Sequence, residues 1–124
     1  MAMKCLDTYI LWEFVTGNKK YLQYFEKDFM IPEMILAEFY GVLLREFNEA
    51  TAEYWLGKFR PYASPCGLGT LVHGIRFKRR HSKVNFSLFD VIGYTCALEN
   101  NMLFVTGDKE FKNFPGVEFV PKNN

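Results

Sequence analysis

The chain lacks most of what would mark it as something other than an ordinary globular domain. It has only three cysteines, Cys5, Cys66 and Cys96, an odd number, far apart and set among apolar residues. That usage excludes a disulfide framework or a zinc knuckle and fits a reducing compartment. No apolar run approaches the roughly 20 residues that a membrane span requires. Met1-Ala2-Met3-Lys4 has none of the long apolar stretch of a secretory signal. A cytoplasmic protein with no membrane partner is therefore expected. Charge of one sign is also missing: 15 Lys and Arg face 14 Asp and Glu, for a formal net charge of +1. Net charge therefore does not mark the whole molecule as an obvious polyanion binder, and any nucleic-acid argument must rest on how its charge is distributed. Repeats, low-complexity tracts and linker-like stretches are absent too, so residues 1–124 are expected to form a single domain.

What is present is apolar and aromatic. Hydrophobic residues make up 49% of the 124, and 13 Phe and 7 Tyr dominate an aromatic share of 18%. This composition excludes disorder and supplies a dense core without a disulfide or a structural metal.

Short apolar runs alternate with helical periodicities. Lys4-Cys5-Leu6 reads as a strand meeting Asp7-Thr8, after which Tyr9, Leu11, Trp12 and Val15 recur at helical spacing until Gly17-Asn18. Lys19 to Lys27 reads as an amphipathic helix with Tyr21, Leu22 and Phe25 on one side, and Phe29-Met30-Ile31 as a second strand. Pro32 suits the first residue of a helix running to Glu46, because its missing N–H would be unpaired there anyway. Helices are expected from Glu49 to Phe59, from Leu68 to Phe77, and from Ser87 to the stop at Asn100-Asn101. Pro61 and Pro65 bracket a short third strand, Met102 to Thr106 forms a fourth, and Val117 to Val120 a last one. Continuously apolar strands separated by helices indicate an α/β fold with a parallel sheet between helical layers.

In such sheets ligands bind beyond the carboxyl ends of the strands. Asp7 directly follows the first strand and Asp108 lies two residues past Thr106, so both occupy that rim. Glu38 sits within Ile35-Leu36-Ala37-Glu38-Phe39-Tyr40 with no basic residue three or four positions away. A buried carboxylate in that setting needs a partner. Asp90 stands in Ser87-Leu88-Phe89-Asp90, a possible capping box, and shares a helix stripe with Gly93 and Ala97, where another backbone can approach. Taken singly, Asp7 reads as an N-cap and Asp108 as a turn residue. Taken together, several carboxylates with few His or Cys nearby suit a hard cation such as Mg2+ or Mn2+. Such an ion activates water and neutralises a phosphodiester during displacement.

Four motifs carry a family resemblance: Leu6-Asp7-Thr8-Tyr9-Ile10-Leu11, Ile35-Leu36-Ala37-Glu38-Phe39, Phe89-Asp90-Val91-Ile92 and Val105-Thr106-Gly107-Asp108-Lys109-Glu110-Phe111. In this order the sequence resembles PIN domains across nearly its whole length, and among them the small VapC-type toxins of prokaryotic toxin–antitoxin pairs. The resemblance implies a three-layer α/β/α fold with a central parallel sheet of four or five strands. It also implies Mg2+ or Mn2+ as cofactor, with Asp7, Glu38, Asp90 and Asp108 as catalytic metal-binding residues and Thr106 positioning water or ligands. Endonucleolytic cleavage of RNA, homodimerisation and a small antitoxin protein partner complete the expectation. A PIN-type RNA-processing nuclease that works without an antitoxin is the nearest variant.

The stretch Arg76 to Lys83 contains no acid and holds five of the 15 basic residues, Arg76, Lys78, Arg79, Arg80 and Lys83. It is a candidate RNA contact whose alternative is a solvated helix end. His73 and His81 are read as surface or packing residues. Two other functions compete. A phosphohydrolase using Asp7 as nucleophile would want a second acid two positions on, where the chain has Tyr9. A PIN-like module binding RNA or protein without cutting would not need all four acids.

Overall fold

The computed structural model describes residues 3–122; the opening Met1-Ala2 lies outside them. Five strands form one parallel sheet in the order β3-β2-β1-β4-β5. They are β1 (Lys4–Leu6), β2 (Phe29–Pro32), β3 (Ala63–Ser64), β4 (Leu103–Thr106) and β5 (Val117–Phe119). Between them run α1 (Thr8–Val15), α2 (Glu33–Glu46), α3 (Glu49–Phe59), α4 (Leu68–Arg80) and α5 (Leu88–Glu99). Successive strand side chains point to opposite faces of a sheet, and two apolar clusters follow from this. Leu6, Ile31 and Val105 join the cluster built with α1, α2 and α3, whereas Cys5, Met30 and Phe104 join the one built with α5. Burial on both faces explains why these strands are apolar throughout rather than alternating.

Parallel pairing aligns the carboxyl ends of β1 and β4 side by side, with Leu6 opposite Val105. Sheet order reverses direction between these two strands, so a crevice opens at their ends. Asp7 and Asp108 leave the sheet there.

Local details differ from the sequence expectation where the reasons are physical. The segment Lys19–Phe25 is a 3₁₀ helix rather than an α-helix, and its two buried residues, Tyr21 and Tyr24, stand three apart, the repeat of a 3₁₀ turn. Pro32 is not the first helical residue but the last of β2, opposite Ser64, and it caps α2 from extended geometry at φ −59° and ψ 141°. Helix α4 continues three residues past Phe77 to Arg80, so part of the basic stretch is helical. Its Gly74 lies against α5, where an added Cβ would come within 3.0 Å of Ile92 Cγ1. Gly93 admits side chains rather than a backbone: Ile35 and Phe104 fill the space next to it.

Candidate functional site

Four acids from four separate segments line one open cavity of about 270 Å3, together with Thr8, Tyr9, Trp12, Val42 and Lys122. Asp7 is the most enclosed of them at 2% exposure. It directly follows β1 and caps α1, accepting the Ile10 N–H at 3.0 Å. The Thr106 hydroxyl also bonds its carboxylate. Thr106 is fully buried at the end of β4, and its Oγ1 accepts the Asp108 N–H at 3.0 Å. Asp108 in turn caps a short 3₁₀ helix, Lys109–Phe111, by accepting the Glu110 N–H at 2.9 Å. The N-cap role expected for Asp7 is therefore real, and Asp108, expected as a turn residue, caps as well; both roles hold these carboxylates at the rim.

Glu38 is half-buried on α2, not enclosed by its apolar neighbours, and its partner is the Thr8 hydroxyl, which donates to Oε1. Asp90 lies in the first turn of α5, where Ser87 Oγ accepts its N–H at 3.4 Å. Among the described residues no hydrogen bond returns from the Asp90 carboxylate, so half of a capping box is formed and the carboxylate stays available to the cavity.

Burial and crowding of like charge shift these groups. Burial pushes the Asp7 carboxyl up to about 6; the Thr106 and Ile10 hydrogen bonds and the Lys122 charge oppose the rise, while Asp108 adds to it. Asp90 is pushed up to about 8, first by burial and then by the charges of Asp7, Glu38 and Asp108, with Lys122 opposing. The part of these rises that comes from neighbouring carboxylates reflects a negative potential that a cation would relieve. Among the described residues no three His, Cys, Asp or Glu side chains converge into a ready-made metal cage. The donor set nonetheless fits Mg2+ or Mn2+, because Mg2+ takes one or two direct carboxylates and keeps several waters.

The basic stretch is not part of this cavity. Lys78 is committed to the Phe86 carbonyl at 2.8 Å. Arg76 and Arg80 line a separate cleft between α4 and α5, and Arg79 and Lys83 are exposed. His81 stacks on Phe77 with ring centroids 4.3 Å apart, and His73 pairs with Glu99, so both histidines pack or pair on the surface. Sequence reasoning missed Lys122, the basic residue that does line the acid cavity. Its only local signal was a lysine a few residues beyond the last strand.

No protein-family model and no curated protein matches the sequence. Solved structures do match in fold. A toxin–antitoxin complex from Klebsiella pneumoniae is similar at TM-score 0.74 and 18% identity, covering 93% of this chain and 95% of that one. VapBC2 from Rickettsia felis, bound to a DNA fragment from its promoter, is similar at TM-score 0.75 and 16% identity, covering 98% and 99%. VapC20 from Mycobacterium tuberculosis, a sarcin–ricin loop cleaving toxin, is similar at TM-score 0.75 and 14% identity, again covering 98% and 99%. The chain thus has the three-layer PIN-type fold of the VapC toxins.

Proposed function

We propose that the protein is a Mg2+- or Mn2+-dependent endoribonuclease and the toxin of a toxin–antitoxin pair. One observation carries the reading: Asp7, Glu38, Asp90 and Asp108, far apart in sequence, line a single cavity at the carboxyl rim of a parallel sheet. A divalent ion held by two or more of these carboxylates would supply Lewis acidity and a water of lowered pKa for attack on a phosphodiester. The chain's own task is orientation. The Ile10 N–H and the Thr106 hydroxyl fix the Asp7 carboxylate, and the Thr8 hydroxyl fixes Glu38. Fixed ligands keep a hydrated ion in one geometry as charge develops. Trp12 and Val42 give the cavity an apolar wall beside these groups.

An antitoxin partner is supported by fold neighbours solved as toxin–antitoxin complexes. Homodimerisation is supported by Leu68, Val72 and Ile75, which stand exposed on one face of α4. Use of Asp7 as a phosphorylated nucleophile is disfavoured by its near-complete enclosure and by Tyr9 two positions on.

The deciding assay incubates the pure protein with labelled RNAs in Mg2+, in Mn2+ and in excess EDTA. Internal cleavage in either metal and none in chelator is expected. Undiminished cutting in EDTA, or no cutting of any RNA in either metal, overturns the reading.

A further inference from the structure

We infer that Lys122, seated on the ring of Tyr9, is the phosphate-binding residue of the acid cavity and contacts the phosphodiester backbone of the bound strand. The inference rests on the nuclease reading above and adds the group that admits a polyanion to an acidic site.

Position comes first. Strand β5 runs parallel to β4, and the Val120 N–H extends the ladder by donating to the Thr106 carbonyl at 2.8 Å. Val120 is buried. Pro121 follows, and with no N–H it cannot continue the ladder, so the chain leaves the sheet at the carboxyl rim with Lys122 next. The sheet therefore delivers this lysine to the same edge as Asp7 and Asp108.

Its charge is held near the acids without being consumed by them. Among the described residues no ion pair within 4.0 Å joins Lys122 to any of the four carboxylates. Its Nζ lies instead 4.9 Å from the centroid of the Tyr9 ring, within the range of a cation–π contact. That ring is itself anchored. The Tyr9 hydroxyl donates to Glu13 Oε2 at 2.9 Å, the ring meets Tyr21 edge-on at 5.9 Å, and Gly107 backs it so closely that a Cβ there would sit 2.6 Å from Tyr9 Cδ2. Tyr9 is thus a rigid platform that presents an ammonium to the cavity.

The electrostatics require such a group. Four carboxylates with one divalent ion still repel a phosphodiester once they are ionised. Lys122 is the one basic residue lining the cavity among the described residues. An ammonium is a compact point charge with three donors, suited to a phosphate oxygen.

The test compares wild type with Lys122→Met and Lys122→Arg. One measurement is cleavage kinetics in Mg2+; the other is anisotropy of a fluorescein-labelled single-stranded RNA against salt, in Mg2+, in a Glu38→Gln background that binds without cutting. Lys122→Met should raise KM about tenfold with a smaller change in kcat, and lower the salt slope by roughly 0.7, one contact's share on a single strand. Lys122→Arg should keep most of both, and all the proteins should melt alike because the side chain is exposed. Unchanged KM and slope in Lys122→Met overturn the inference, as does tighter Mn2+ binding with unchanged KM, which would make Lys122 a counter-ion of the acids. If wild type cuts no RNA, the nuclease reading falls separately, and the anisotropy slope alone decides whether Lys122 touches the strand.

Discussion

The Asp108 backbone N–H donates to Thr106 Oγ1 at 3.0 Å while the same hydroxyl bonds the Asp7 carboxylate, so one buried side chain ties together two acids that are distant in sequence. Thr106→Val keeps shape and removes both bonds. It leaves a buried carboxylate short of a donor and an N–H without its acceptor, which costs about 1–3 kcal/mol for such groups. Cleavage should fall roughly 10–100-fold, as when other supports of a metal ligand are removed. Denaturant melts and single-turnover rates check both numbers; unchanged values for each would reduce Thr106 to a core residue.

Glu38→Gln separates ligand charge from structure. A glutamine carbonyl still accepts the Thr8 hydroxyl, so the contact between α1 and α2 survives. Stability should stay within about 0.5 kcal/mol of wild type, the usual range away from buried features. Cleavage in Mg2+ should drop by at least about 100-fold if Glu38 holds or orients the ion. Near-normal turnover in this variant would place the site elsewhere.

The sheet and helices were largely legible in the sequence because each is marked locally. Asp7 caps its helix, Ser87 opens α5, Asn100-Asn101 ends it, and the strands are apolar on both faces. That Asp7, Glu38, Asp90 and Asp108 share one cavity was suggested by the four motifs that carry them; Asp7 and Asp90 sit beside helix-start markers, whereas Glu38 lies within α2. Three features were not. Over seven residues a period of three is hard to tell from one of 3.6, so the Lys19–Phe25 turn read as an α-helix. Thr8 and Glu38 are 30 residues apart, and no local pattern announces their contact. Lys122 reaches the cavity only through the pairing of β5 with β4. The basic stretch shows the converse: a dense local charge is easy to see, but none of it lines the acid cavity, and Arg76 and Arg80 line a different cleft.

Gly107 is required for space. An alanine Cβ would stand 2.6 Å and 2.9 Å from two Tyr9 ring carbons and 3.2 Å from the Val120 carbonyl oxygen. Tyr9 is held by Glu13 and Tyr21 and cannot swing aside freely. Gly107→Ala should destabilise the fold by about 1–3 kcal/mol, the usual cost of overpacking, and raise KM for RNA by displacing the Tyr9 platform. A stable variant with wild-type KM would show that the ring yields without consequence.

Arg79 and Arg80 are exposed at the end of α4, and Arg80 also lines the cleft between α4 and α5. If a long strand extends from the acid cavity over this surface, neutralising both should weaken binding and flatten its salt dependence, since fewer phosphate contacts displace fewer counterions. Measuring affinity at several salt concentrations decides it. An unchanged slope assigns the stretch to solvent.

Asp90 links the site to pH. Its folded carboxyl is pushed up to about 8 from an ordinary value of 3.8, by burial and by Asp7, Glu38 and Asp108. A raised folded pKa means that the native state holds this proton more tightly than the unfolded chain. The resulting stability is fully present below about pH 4 and is lost as pH rises toward 8. Asp7, pushed up to about 6, acts with the same sign over the lower part of that window. The metal-free protein should therefore melt progressively lower between pH 4 and pH 8. Asp90→Asn removes the titrating group and keeps the backbone N–H that donates to Ser87 Oγ, so helix capping is unaffected. That variant should match wild type near pH 4, exceed it at pH 8 by on the order of 1 kcal/mol, and fail to cut RNA. Mg2+ should raise the melting temperature of wild type at pH 8, by binding the folded state alone, and raise that of Asp90→Asn less. A variant that is destabilised at pH 8 and still cuts would make Asp90 a cap and nothing more.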